Sequence, residues 1–91
     1  MLILSTVKVE DLDRFMKAFS TRGAEKRKQH GSKGSHVFRD PDDEHRVWLV
    51  FDWDEEGYNS LLSDPEVPAI FQAAGVQSEP ALGELVAGLD A

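Results

Sequence analysis

The sequence predicts an α+β fold of the ferredoxin-like type, with the order β-α-β-β-α-β, a four-stranded antiparallel sheet and its helices on one face. Three observations predict it. The N-terminal segment "MLILSTVKV" is apolar and strand-forming, two further strand-forming segments flank the turn "DPDDEH", and stretches with helical spacing follow the first and third strands. The 91 residues are expected to form a single domain over 1–91.

The first strand, residues 2–9, is rich in Leu, Ile, Val and Thr. Leu12, Phe15, Met16 and Phe19 then recur at helical spacing. Acidic residues gather at the start of this stretch and basic ones at its end, as the helix dipole favours. One helix from about 10 to 29 is predicted, stopped by Gly31. "GSHVFRD" reads as the second strand, and "HRVWLVFDW", residues 45–53, carries the strongest strand signal of the chain. A short polar turn containing Pro41 joins the two as a hairpin. "DEEGYNSLLSD" follows as a short helix with Asp54 at its N-cap. Pro65 interrupts it, and "PEVPAIFQAAG" adds another turn or two of helix, closed by Gly75. The tail "ALGELVAGL" is a weaker last strand, because Gly83 and Gly88 count against it.

The third strand bears on assembly. Val47, Leu49, Phe51 and Trp53 alternate onto one side, and Trp48 and Val50 onto the other. A strand apolar on both sides needs cover on both, and two helices cover one. The predicted cover for the second side is another copy of the same sheet across a two-fold axis, giving a homodimer. A chain this short with no cysteine also gains from oligomerisation. The alternative is a monomer with an exposed apolar patch.

Composition removes several classes of function. A net charge of −7 opposes general binding to nucleic acid or anionic membranes. The N-terminus has no basic leader and no apolar run long enough for a membrane span, so a cytoplasmic location is expected. His30, His36 and His45 have no ligand spacing and no cysteine beside them, so no metal site is expected. "DPDDEH" lacks the Gly and the distant Glu of a calcium loop. "GSKGS" lacks the full phosphate-loop pattern, and no G-x-S-x-G elbow supports triad hydrolysis. RNA-binding domains share this element order, but their third strand carries a Gly-containing aromatic motif, and "HRVWLVFDW" has no Gly.

Against this acidic background, "RGAEKRKQHGSKGS" at residues 22–35 holds five of the ten Lys and Arg residues. On a helix continuing to residue 30, Leu12, Phe19, Gly23, Lys26 and His30 share one sector, with Phe15 and Arg22 near it. Gly23 has no side chain and would leave space between helix and sheet. Lys26 and His30 would reach toward that space with their stems on apolar walls, the composition of a small-ligand pocket. Arg22 and Lys26 would favour a carboxylate or phenolate, and His30 would move a proton near neutral pH. The same residues also fit a solvated helix end whose bases complement the dipole, or a partner-docking patch. His36 alternates with Val37 on the second strand and faces either the helices or a partner sheet, as a structural histidine or as a pocket acid/base. Trp48 and Trp53 are core fillers, or one of them forms a flat wall against an aromatic ligand.

The strand ending "FDWDEE" that runs straight into a helix, the later "DPEVPAIFQAAG" and the element order resemble the dimeric α/β-barrel superfamily over nearly the whole chain. That superfamily includes antibiotic-biosynthesis monooxygenases, haem-degrading monooxygenases and small polyketide cyclases. The resemblance implies a homodimer that holds a small hydrophobic, aromatic or anionic molecule between sheet and helices. If the protein is an enzyme, it implies monooxygenase or cyclase chemistry without a cofactor. The haem-degrading branch is a poor match. Its helix Trp falls at Leu62, its haem-ligating His at Gly75, and its first-strand Asn at Ser5 or Thr6. For the pocket Trp, Tyr, Asn and Arg of the quinone-forming monooxygenases the chain offers Trp48, Tyr58, Asn59 and Arg39. The resulting candidates are His36 and His30, with Lys26, for proton transfer. Arg22, Gly23, Lys26, Arg39 and Trp48 are the candidates for ligand binding. The competing expectation is a non-catalytic module that binds a metabolite or a partner.

Overall fold

The computed structural model describes residues 1–91. Its elements are β1 (Leu2–Lys8), α1 (Leu12–Phe19), α2 (Arg22–Gln29), β2 (Gly34–Arg39), β3 (Arg46–Asp52), α3 (Glu55–Leu62), α4 (Val67–Ala73) and β4 (Ala81–Gly83). The four strands form one sheet in the order β2-β3-β1-β4, and every neighbouring pair is antiparallel. This is the predicted ferredoxin-like α+β arrangement; the first helix is split into two, and the second helical stretch is interrupted around Pro65 as expected.

The split of the first helix corrects the expected continuous helix over 10–29. The Ser20 hydroxyl donates to the Met16 carbonyl at 2.7 Å and the Thr21 hydroxyl to the Lys17 carbonyl at 2.6 Å. Two consecutive hydroxyls thus bond the carbonyls one turn back, which offers the backbone an alternative to further helix. Thr21 leaves the helical region, with φ −115° and ψ −96°, and α2 starts afresh at Arg22. Gly23 therefore lies inside α2. Gly31, at φ 87°, ends the crossover. Asp11 caps α1 by accepting from the Arg14 amide at 3.0 Å. Asp54 occupies the N-cap position of α3 without a side-chain capping bond.

The expected last strand over 81–89 is also shorter. Only Ala81–Gly83 pairs, opposite Leu4–Thr6 of β1. Beyond it Leu85, Val86 and Leu89 are exposed.

Residues directly opposite one another in a sheet share a face. Val47, Leu49 and Phe51 of β3 therefore lie with Ile3, Ser5 and Val7 of β1 on the side covered by Phe15, Tyr58, Leu61 and Val67 of the helices. The opposite side carries Leu4 opposite Val50, and Thr6 and Phe38 opposite Trp48. No helix covers it: Leu2, Leu4 and Phe38 are 51%, 41% and 54% exposed.

Trp53, just past β3, is buried and joins the layers. Its Nε1–H donates to the His30 carbonyl at the end of α2, at 2.8 Å. Its ring meets Phe51 and Tyr58 edge-on, at centroid distances of 5.7 and 5.5 Å. Gly57 makes this approach possible. A Cβ there would lie 2.6 Å from Trp53 Nε1 and would collide with the His30 carbonyl oxygen. Gly57→Ala should therefore lower the unfolding free energy by about 1–3 kcal/mol, the usual cost of overpacking, read from the urea midpoint. An unchanged midpoint would show that α2 and α3 do not cross tightly here.

Candidate functional site

Between the sheet and the helices lies a cavity of about 80 Å³ whose wall is made by 18 residues, 13 of them hydrophobic. β1 and β3 supply its floor, including Ser5 and Leu49, and all four helices contribute to the roof. Leu62, 44% exposed, belongs to the wall and marks its rim.

The polar groups of this wall are few. Ser5 points inward from β1 and is 1% exposed; Tyr58 on α3 is 5% exposed. Burial pushes the Tyr58 hydroxyl above its ordinary value, and its hydrogen bond with Ser5 offsets part of that rise. At neutral pH Tyr58 is therefore an uncharged phenol, a hydrogen-bond donor to whatever enters. From α2 come Lys26 and Arg27. The Arg27 guanidinium lies over the Phe19 ring, with Cζ 3.6 Å from the centroid. Burial pulls it down to about 10, which leaves it cationic at neutral pH.

Lys26 is spent on ion pairs that fasten α2 to the α3–α4 connection. It contacts Glu66, and its Nζ lies 3.0 Å from Asp64 Oδ2. Hydrogen bonds to Glu66 and then Asp64 raise it above its ordinary value. His30 joins the same cluster, with Nε2 2.9 Å from Asp64 Oδ2 and Nδ1 2.8 Å from Ser60 Oγ. A carboxylate only accepts, so Nε2 carries a proton. The His30 bond, the Glu66 amide and Lys26 together hold the Asp64 carboxyl far below the usual carboxylate range.

Of the residues expected from the sequence, Gly23, Lys26 and Tyr58 are brought to the cavity. The His30 ring is turned instead onto Ser60 and Asp64, and Arg22 is exposed on α2. The space expected beside Gly23 is filled. A Cβ there would stand 3.1 Å from both Arg27 Nη1 and the Ala18 carbonyl oxygen. His36 is exposed on the open sheet face opposite Val50. Trp48 shares that face, where its Nε1–H donates to Asp40 Oδ2 at 2.9 Å and Arg46 Cζ lies 5.8 Å from its ring. Arg39 lies at the end of β2 in a shallow acidic depression with Glu10, Asp11 and Glu44. Asn59 is exposed and lines a separate groove with Leu82. Sequence reasoning passed over Ser5 and Arg27. Ser5 sits between Ile3 and Val7 at inward-facing register, a polar residue in an apolar row. Arg27 follows Phe19 and Gly23 at four-residue spacing.

No group of three or more His, Cys, Asp or Glu side chains is placed to hold a metal ion. No helix is long and apolar enough to cross a membrane.

No protein-family model matches the sequence, and no curated protein sequence matches it. Solved structures do match the fold. SnoaB, a cofactor-independent oxygenase from Streptomyces nogalater, superposes with a TM-score of 0.74 at 19% identity, over 99% of this chain and 96% of SnoaB. A protein from Deinococcus radiodurans, provisionally classed as an antibiotic biosynthesis monooxygenase, gives 0.68 at 12% identity, over 100% and 98% of the two chains. An uncharacterized NIPSNAP domain protein from Burkholderia xenovorans gives 0.67 at 16%, with the same coverage. The chain thus shares the ferredoxin-like fold of antibiotic-biosynthesis-monooxygenase-type proteins, as the sequence resemblance implies.

Because the folded Asp64 carboxyl is held below its unfolded value of about 3.9, its contribution is complete above that value and fades as pH falls through the acid range. Urea midpoints measured between pH 7 and 2 should therefore drop more steeply below about pH 4 in the wild type than in Asp64→Asn. Parallel curves would mean that the His30–Asp64–Lys26 cluster does not fasten α2.

Proposed function

We propose that the protein is a homodimer, joined through its open sheet faces, in which each subunit binds a small hydrophobic, aromatic or anionic molecule between sheet and helices. The observation that carries the binding is the cavity: apolar walls around a single buried hydroxyl pair, the composition of small-molecule sites. Its volume of about 80 Å³ is below the roughly 150 Å³ that accommodates benzene in an engineered core. A guest therefore enters by displacing a wall side chain, and Leu62 is the most exposed candidate. Phe51, Trp53 and Tyr58 offer ring edges and faces to an aromatic guest, while Tyr58 and Ser5 offer it a hydroxyl partner. The dimer is supported by the exposed Leu2, Leu4 and Phe38 around Trp48 and Val50, a two-fold-compatible apolar face.

A second reading is favoured by the shared fold with a cofactor-independent oxygenase. An aromatic substrate with an acidic methylene supplies its own electrons to dioxygen. The methylene becomes a carbonyl with one oxygen atom, and the other leaves as water with the two hydrogens. The cavity wall contains no carboxylate or histidine, so such a substrate must ionise readily by itself, with the Tyr58 hydroxyl hydrogen-bonded to the resulting oxyanion.

Binding of p-cresol, followed by NMR titration, should weaken roughly tenfold or more in Leu62→Trp, which fills the rim from an exposed position without loss of melting temperature. Equal binding by the variant would remove the cavity as the site. With an anthrone-type polyphenol under air, oxygen uptake that falls in both Leu62→Trp and Tyr58→Phe supports the oxygenase. Tight binding without uptake leaves a binding module. In sedimentation at micromolar concentration the wild type should run as a dimer and Leu4→Glu as a folded monomer. A monomeric wild type would end the paired-sheet proposal.

A further inference from the structure

Two cations line the cavity, Lys26 and Arg27, and their situations are opposite. Lys26 already has Asp64 and Glu66. Arg27 is half-buried, yet it takes part in none of the salt bridges and its guanidinium makes no hydrogen bond to another residue. An arginine carries five N–H donors in a planar fork; no side-chain nitrogen is buried without a partner, so the Arg27 fork keeps contact with solvent and stands free to meet an acceptor. Two features nevertheless keep the group in place. The guanidinium carbon stands over the Phe19 ring, 3.6 Å from its centroid, which holds the group against the apolar wall. Gly23, one turn earlier, clears the room it occupies, since any Cβ there would press on Nη1 at 3.1 Å. A glycine in the first turn of a short helix weakens that helix, and here its absent side chain is what lets the guanidinium fold against the cavity wall.

We propose that Arg27 is the anion-recognising group of the cavity and that the ligand is an aromatic carboxylate or phenolate, its ring in the apolar chamber and its charge on the Arg27 fork. This rests on the cavity being the binding site. The planar fork matches a carboxylate with two parallel N–H···O bonds, a geometry Lys26 does not supply even when free. Incoming charge would find in Arg27 a cation with no competing carboxylate, so recognition displaces no existing ion pair. The neutral Tyr58 and Ser5 hydroxyls serve the other end of the molecule.

The test compares p-toluate with its neutral counterpart p-toluamide by NMR titration at pH 7 and low salt, on the wild type and three variants. The wild type should prefer p-toluate by roughly tenfold or more. Arg27→Met, which keeps the apolar stem over Phe19, should bind p-toluamide as the wild type does and lose the preference for the anion. Gly23→Ala, which retains the charge but crowds the guanidinium, should reduce the preference, and Lys26→Met should retain it. A wild type without preference, a preference surviving in Arg27→Met, or one lost only in Lys26→Met would overturn the assignment while leaving the cavity in place. If neither compound binds the wild type, the cavity reading fails and this inference with it. Arg27→Met should melt close to the wild type, since it breaks no ion pair and keeps an apolar stem over Phe19. A large drop in melting temperature with unchanged anion preference would identify Arg27 as a structural clamp on Phe19.

Discussion

The junction at Trp53 sets the distance between the helical layer and the sheet. Its indole is buried at the end of β3, bonds the last carbonyl of the α1–α2 crossover and turns its edge to Phe51 and Tyr58. The crossover cannot sink further onto the sheet because the ring is beneath it. Nor can α3 drift away without exposing a ring that is 1% accessible. The space that remains beside the ring is the cavity. Gly57 is the local sequence requirement of this arrangement, and the His30–Asp64–Lys26 cluster fastens the same crossover from outside. The site thus owes its shape to packing on rigid elements rather than to a loop.

Two consequences of a short chain meet in this molecule. Sixteen residues are buried, too few for the helices to cover both sides of a sheet whose central strand β3 is apolar on both. The helical layer takes Val47, Leu49 and Phe51 and leaves Trp48 and Val50 to the other face. There the Trp48 Nε1–H donates to Asp40, and the Arg46 guanidinium lies 5.8 Å from the ring centroid. The exposed Leu85, Val86 and Leu89 lie beyond the last paired residue of β4 and add to the apolar surface this chain does not cover itself.

The element order, the hairpin and the register of β3 were legible because they rest on alternation and turn chemistry, which are local. The break at Ser20–Thr21 was not, since hydroxyls that terminate a helix look the same in sequence as hydroxyls that decorate one. That single miss carried into the site. A sector drawn on a continuous helix places Lys26 and His30 together over the sheet. After the break the phase is reset, so that Arg27 folds against the cavity over Gly23 while the His30 ring reaches Ser60 and Asp64. The sequence left a pocket wall and a solvated helix end as alternatives for the basic stretch; Lys26 and Arg27 line the chamber, and Arg22, Lys28 and Lys33 are exposed. His36 and Trp48 could not be assigned a side of the sheet from alternation alone. The pairing of His36 with Val50 and of Phe38 with Trp48 settles it.

The claim on which the functional account turns is that the chamber beside Trp53 takes up an aromatic molecule. A crystal of the protein soaked with p-cresol tests it most directly. The account predicts the ring between Phe19, Trp53 and Tyr58, with Leu62 displaced and the phenol oxygen bonded to Tyr58 or Arg27. A ring seated on the open sheet face against Trp48, with the chamber unchanged, would contradict it.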